Sequence, residues 1–149
     1  MTILDEIVQH KHTEVEQAIA RLPLTEVRRR AEIPIERRSL RHALDSNTVT
    51  VIAEFKRASP SAGVFVKDAD PSEWATEYAA NGAGALSVLT DAKFFRGSLN
   101  DLVKARSAAQ LPVIRKDFII GSYQIYESAA YGADAVLLIV GLTSQQDLE

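Results

Sequence analysis

The strongest constraint on this chain is an alternation. Four short runs, VTVIAEF (49–55), ALSVLT (85–90), LPVIRK (111–116) and AVLLIV (135–140), are rich in β-branched or aliphatic residues and are predicted to be strands. The stretches between them carry helix-start signals: Asp70-Pro71 before SEWATEYAA, Ser98 with Asp101 three residues on, and Ser122 before YQIYESAA. Proline at the first helical position, and a hydroxyl or carboxylate cap, satisfy the backbone N–H groups that a helix leaves unpaired at its start. Asn81-Gly82-Ala83-Gly84-Ala85-Leu86 and Tyr131-Gly132-Ala133-Asp134-Ala135-Val136 echo one another where a helix ends and a strand begins. Gly82 and Gly132 are therefore predicted to be left-handed helix caps. Strands alternating with helices imply an α/β fold with a parallel sheet and right-handed crossovers.

A doubly wound sheet and a β/α barrel share this local grammar. A barrel has an inner face with polar groups gathered at the C-terminal rim of its strands, and an outer face covered by helices. In the first strand Ile52, Glu54 and Lys56 share one side, while Val51, Ala53 and Phe55 share the other. Ile114 and Lys116 alternate in the same way in the third, with Asp117-Phe118 at its mouth. Burying an unpaired carboxylate or ammonium is costly, so such charges pair or serve a site. A structural ion pair would satisfy Glu54 and Lys56; Lys116 on a nearby strand favours a rim where two lysines and a glutamate converge. Close cations lower each other's pKa and make lysine a usable acid, an adjacent carboxylate opposes this, and such a pocket suits an anionic substrate.

A helical preface comes before the strands. Leu4, Ile7, Val8, Val15, Ala18, Ile19 and Leu22 recur at helical intervals and Pro23 ends the pattern. A second helix is expected after Thr25 and a third after Ser39, an N-cap for LRHAL. The expected organisation is a helical extension over 1–48 followed by four strands of a barrel over 49–149. Ser144 and Asp147 are spaced as a capping box at the very end, an ending that leads us to expect a truncated chain.

Composition narrows the function. Of 149 residues 46% are hydrophobic and 25% charged, as in a globular domain, and no cysteine is present to form a disulfide or thiolate metal site. The longest apolar run, Ala135 to Val140, is far too short to span a bilayer, so no membrane partner and a cytoplasmic location are expected. A net charge of −3 argues against nucleic acid, and Arg28-Arg29-Arg30, Arg37-Arg38 and Lys56-Arg57 read as solvated charge. His10, His12 and His42 lack metal-ligand spacing, and Trp74 with Tyr78 reads as packing on the sheet. The G-x-G at 82–84 follows a helix and precedes a strand, the wrong order for dinucleotide binding. No G-x-S-x-G or Walker loop is present.

Residues 52–63, IAEFKRASPSAG, resemble the signature of indole-3-glycerol phosphate synthase, and LTDAKFFRGS (89–98), PVIRKDFI (112–119) and GADAVLLI (132–139) match that family in order and spacing. The resemblance covers the whole chain. It implies a (β/α)8 TIM barrel with an amino-terminal helical extension, of which only about four β/α units are present. It also implies no metal and no organic cofactor. The implied reaction converts 1-(o-carboxyphenylamino)-1-deoxyribulose 5-phosphate, a small anionic phosphorylated substrate, to indole-3-glycerol phosphate with loss of carbon dioxide and water. By this resemblance Lys116 is the acid acting on the substrate ketone, Lys56 attracts the carboxylate or phosphate and assists dehydration, and Glu54 orients the lysines. Ser59 belongs to the first loop near the substrate, and Phe95, Phe118 and Leu137 form the apolar wall for its aromatic ring. Ala62 stands where many relatives have lysine. The family's glutamate on the fifth strand, asparagine and arginine on the sixth, and phosphate cradle on the last two have no counterpart here, so the 149 residues alone are expected to be inactive. The alternative expectation is a non-enzymatic half-barrel that self-associates, or pairs with a complementary half, through its open edges. A different phosphate-sugar barrel enzyme is disfavoured by the Ala58-Ser59-Pro60-Ser61 loop.

Overall fold

A computed structural model describes residues 2–45 and 48–143, so the anticipated capping box at Ser144 and Asp147 lies outside the described residues. Helix α1 (Ile3–Arg21) opens with a full capping box, in which Thr2 Oγ1 accepts from the Asp5 amide at 3.2 Å and Asp5 Oδ2 from the Thr2 amide at 2.6 Å. Pro23 follows its C-cap and is the N-cap of α2 (Leu24–Ala31), which begins two residues ahead of the start expected after Thr25. Ser39 caps α3 (Leu40–Leu44) as expected, accepting from the His42 amide at 3.1 Å.

The strands β1 (Ile52–Phe55), β4 (Ala85–Leu89), β5 (Val113–Lys116) and β6 (Ala135–Val136) form one parallel sheet in the order β1-β4-β5-β6. This order separates the two candidate architectures. A doubly wound sheet reverses its direction of growth part-way, whereas here each strand adds beside the one before, as in a barrel. Among the described residues the sheet does not close; β1 and β6 are its edges. Two elements went unforeseen: a small antiparallel hairpin, β2 (Ala58–Ser59) with β3 (Gly63–Val64), in the loop after β1, and the one-turn helix α5 (Ala92–Phe95) after β4. The fourth strand is shorter than the 135–140 run suggests. Its last ladder contact is the Leu137 amide donating to the Arg115 carbonyl at 3.2 Å, and its neighbour β5 ends at Lys116.

Helices α4 (Pro71–Ala80) and α6 (Leu99–Ala108) cover one face of the sheet. The core between them joins Phe55, Leu86, Val88 and Val113 of the strands to Ala75, Leu102 and Ala105 of the helices. Asp70 caps α4 by accepting from the Ser72 amide at 3.0 Å, and Ser98 caps α6 by accepting from the Asp101 amide at 3.1 Å. Helix α7 (Ser122–Ala130) corrects the third expected start. Gly121, not Ser122, is its cap residue and no side chain caps from that position; Gln124 instead reaches back to accept from the Ile120 amide at 2.8 Å. Gly82 and Gly132 both have φ of 87°, the left-handed caps the echo predicts.

The arginine runs are solvated as expected at Arg28, Arg29, Arg30 and Arg37, which are exposed, while Arg38 is half-buried. Arg37 donates to the Ala133 and Ala129 carbonyls at 2.8 and 2.9 Å, and Arg38 Nη1 to those of Arg106, Ala109 and Leu111 at 2.7 to 3.1 Å. Carbonyls left over at the ends of α6 and α7 thereby gain charged donors from the preface. Arg28 lies 4.8 Å over the Tyr126 ring, while Arg29 and Arg30 pair with Glu26 within their own helix. Trp74 and Tyr78 do pack edge-on, Trp74 against Phe55 at 6.2 Å and against Tyr78 at 5.6 Å.

Candidate active site

Strand alternation builds the site. Phe55, Val113 and Arg115 are buried beneath the helices, which leaves Glu54 and Lys116 on the opposite, concave face at the C-terminal ends of their strands. Glu54 links the two lysines: Lys116 Nζ lies 3.3 Å from Oε2 and Lys56 Nζ 3.5 Å from Oε1. Ser87 on β4, between them in the sheet, donates to Glu54 Oε2 at 3.1 Å. All three charged side chains are about one-third exposed, with 32% for Glu54 and 36% for each lysine. Their ion pairs are therefore solvated, and long enough to give way to a ligand.

The cavity in front of this trio holds about 210 Å³ and is bounded by Glu54, Lys56, Leu89, Phe95, Lys116, Asp117, Phe118, Leu137 and Ile139. Six of the seven residues singled out from the sequence thus face one space. Phe95 and Phe118 lie with ring centroids 6.0 Å apart and make one wall. Ser59 is the exception. It borders an adjoining hollow with Pro60, Ser61 and the α1 residues Ile3, Leu4 and Ile7, and this hollow shares Phe95 and Phe118 with the main cavity. Ser59 Oγ accepts from the Ala62 amide at 3.2 Å, so it also shapes the hairpin turn.

Three contributors were not foreseen. Phe65, just past the hairpin, has the Lys56 ammonium 5.6 Å above its ring. Arg57 points away from the pocket and ties the loop down, gripping both oxygens of Asp101 at 2.6 and 2.9 Å and the Ala69 carbonyl at 2.9 Å. The third is Lys11 of α1, which is fully buried. Its ammonium lies 2.9 Å from Asp91 Oδ2, 3.0 Å from Asp117 Oδ1 and 3.0 Å from Glu14 Oε1. Asp117 borders the cavity, but its carboxylate is turned to Lys11, to Arg115 at 3.0 Å and to the Thr90 hydroxyl at 2.6 Å. Burial alone would raise the Asp117 pKa; Arg115 and Lys11 outweigh it and hold the carboxyl below its ordinary range. Burial likewise opposes the Lys11 ammonium, and Asp117, Asp91 and Glu14 reverse this and hold its pKa above the ordinary lysine value. No periodicity signals such a residue, because a lysine on an apolar stripe reads as a boundary position unless its partners in space are known.

No group of three or more His, Cys, Asp or Glu among the described residues is arranged to hold a metal ion. No helix among them is long and apolar enough to cross a membrane.

Comparison with known proteins gives the arrangement a family. The profile described as indole-3-glycerol phosphate synthase matches residues 4–149. The chain is 50% identical over 147 residues to an indole-3-glycerol phosphate synthase of Desulfosudis oleivorans, covering 96% of this chain and 56% of that protein. It is 48% identical over 154 residues to one of Albidiferax ferrireducens, covering 99% and 58%, and 46% identical over 154 residues to one of a Roseiflexus species, covering 99% and 57%. The chain spans a little over half the length of these curated relatives. With a family match running from residue 4 to residue 149 across the strands that carry Glu54, Lys56 and Lys116, the chain belongs to the indole-3-glycerol phosphate synthase family.

Proposed function

We propose that these residues form the amino-terminal part of an indole-3-glycerol phosphate synthase active site, acting on 1-(o-carboxyphenylamino)-1-deoxyribulose 5-phosphate in tryptophan biosynthesis in the cytoplasm. The observation that carries this reading is the Glu54 carboxylate set between Lys56 and Lys116 at the mouth of an aromatic-walled cavity. A substrate with an aromatic ring at one end and anionic groups at the other matches that polarity.

Each step meets a group suited to it. As the ring carbon bearing the carboxylate attacks the ketone carbon, the new C–C bond places negative charge on the ketone oxygen, and Lys116 delivers a proton there. Carbon dioxide then leaves with its bonding electrons returned to the ring; the new hydroxyl departs as water once protonated, a role for Lys56, while the adjacent methylene carbon gives up a proton to a base and its C–H electrons form the new ring double bond. Glu54 holds the two ammonium groups apart and in place, and hydrogen-bonds the sugar chain. Phe95, Phe118 and Leu137 pack the ring, and Ser59 lies in the first loop near the substrate. No cofactor enters the scheme.

The same proposal assigns 1–48 to an extension and 49–149 to the first four units of the barrel. By themselves the 149 residues are expected to turn over no substrate. Of the carboxylates bordering the cavity, Asp117 is already committed to Lys11 and Arg115, and Glu54 to the lysines, so no free base remains among the described residues. The test is turnover by the full-length protein carrying these residues, followed by carbon dioxide release and indole absorbance. Lys116→Met is expected to lower kcat by about 10²- to 10⁴-fold, the usual contribution of a positioned acid. Undiminished turnover in that variant would refute the assignment.

A second reading has its own observation. Val51 and Ile52 at one edge of the sheet are 56% and 41% exposed, and Leu138 and Val140 at the other are 41% and 97% exposed. Aliphatic edges of this kind favour pairing of the 149-residue chain with a second copy. Elution as a monomer at every concentration in size-exclusion chromatography would exclude it.

A further inference from the structure

The most buried cation of the molecule is Lys11, on a helix that contributes no strand to the sheet and no group to the chemistry proposed above. Docking α1 needs only apolar residues such as Ile7, one turn before it and also buried. A lysine there costs desolvation, which its three carboxylate partners must offset. Its ammonium donates to Glu14 and pairs by charge with Asp91 and Asp117 at 2.9 and 3.0 Å, and Asp91 Oδ2 has this ion pair but no hydrogen bond among the described residues.

What the two aspartates do with their other oxygens gives the lysine its meaning. Asp91 Oδ1 accepts from the Phe94 amide at 2.7 Å, and the Asp91 carbonyl accepts from the Gly97 amide at 2.8 Å, closing the turn that carries Phe95. A side chain at Gly97 would run into the Leu89 carbonyl at 2.1 Å, so this turn is seated directly on the end of β4. Asp117 Oδ1, the oxygen that meets Lys11, also accepts from the Phe118 amide at 2.8 Å. One ammonium therefore fixes two carboxylates, each carboxylate fixes one backbone amide, and the two amides set the facing rings of Phe95 and Phe118.

We propose that Lys11 is a positioning residue for the aromatic wall of the cavity, acting from the amino-terminal helix through Asp91 and Asp117. It touches no reacting atom. Its effect falls on how tightly the substrate's ring is held, and so on KM, while Lys116 governs kcat. The proposal deepens the synthase reading and rests on it only for the identity of the ligand.

The experiment uses the full-length protein, with Lys11→Met to keep an unbranched apolar stem and remove the charge, and Lys11→Met/Asp91→Asn to restore the charge balance while leaving an oxygen to cap Phe94. Two readouts are taken on folded protein: KM and kcat with 1-(o-carboxyphenylamino)-1-deoxyribulose 5-phosphate, and the amide signals of Phe94 and Phe118 after ¹⁵N-phenylalanine labelling. Lys11→Met is expected to raise KM about tenfold or more, since small misplacements of a binding group carry costs up to about a hundredfold. It is also expected to move both amide signals upfield as their carboxylate bonds loosen. A purely structural lysine would lower the folded, active fraction, reducing apparent kcat with KM and the amide signals unchanged; that result overturns the proposal. If Lys11→Met fails to fold, the double variant is judged by the same criteria. Failure of both to fold marks the cluster as a folding staple and rejects the positioning role. Absence of turnover in the unmodified protein would remove the synthase reading alone, because the amide signals still report on Lys11.

Discussion

Two ionic clusters lie within one residue of each other along β5 and behave as opposites. On the concave side Glu54, Lys56 and Lys116 are about one-third exposed and meet at 3.3 and 3.5 Å. On the other side Lys11, Asp91, Asp117 and Arg115 are 0 to 3% exposed and meet at 2.9 to 3.0 Å. Arg115 is also held by Glu127 at 2.9 Å and the Ser128 hydroxyl at 3.1 Å. The chemistry of the groups is the same; solvent access differs. The buried cluster has every charge matched by a fixed partner, so it resists change and defines geometry. The open trio leaves its ammonium groups with loose partners that an anion can replace. A site is marked here by the incompletely satisfied cluster, and its precision comes from the satisfied one.

The largest test of this contrast is the pair Lys116→Met and Lys11→Met. The first should lower turnover of the full-length protein by about 10²- to 10⁴-fold and yet shift unfolding by no more than about 1 kcal/mol, as exposed ion pairs do. The second should cost about 3–5 kcal/mol in urea unfolding, because removing one partner of a buried pair strands the others. Equal destabilisation by both would erase the distinction.

A pH series sharpens it. The Asp117 carboxyl is held below its ordinary value of 3.8, so the folded state binds fewer protons than the unfolded state, and the stability this provides is complete above that value and is lost as pH falls through the folded pKa. Lys11 is raised from 10.5, so its share is present below that value and lost only at still higher pH. The melting temperature should fall on acidification below about pH 4, and Asp117→Asn should start lower but fall less steeply. A parallel acid limb in the variant would remove Asp117 from the account. The smallest effect is expected outside both clusters: Ser98→Ala, which deletes the α6 cap, should cost about 1 kcal/mol by urea unfolding with KM unchanged.

Much of this was legible locally. Strand alternation put Glu54, Lys56 and Lys116 on one face, and the caps at Ser39, Asp70 and Ser98 and the left-handed Gly82 and Gly132 follow from rules reaching only a few residues. The misses have non-local causes. The fourth strand stops at Val136 because its neighbour β5 ends at Lys116, one position past the Arg115–Val136 pairing, and Arg38 is drawn part-way out of solvent by carbonyls 68 to 73 residues away in sequence.

The sequence by itself determined the alternation of strands and helices, the face each charged residue takes and the family, because periodicity and capping are set by neighbours along the chain. Tertiary structure alone decided which charges are buried. The worth of an ammonium depends on carboxylates that only folding brings within 3 Å, and Lys11 meets Asp91 and Asp117 across a span of the chain that no local rule covers.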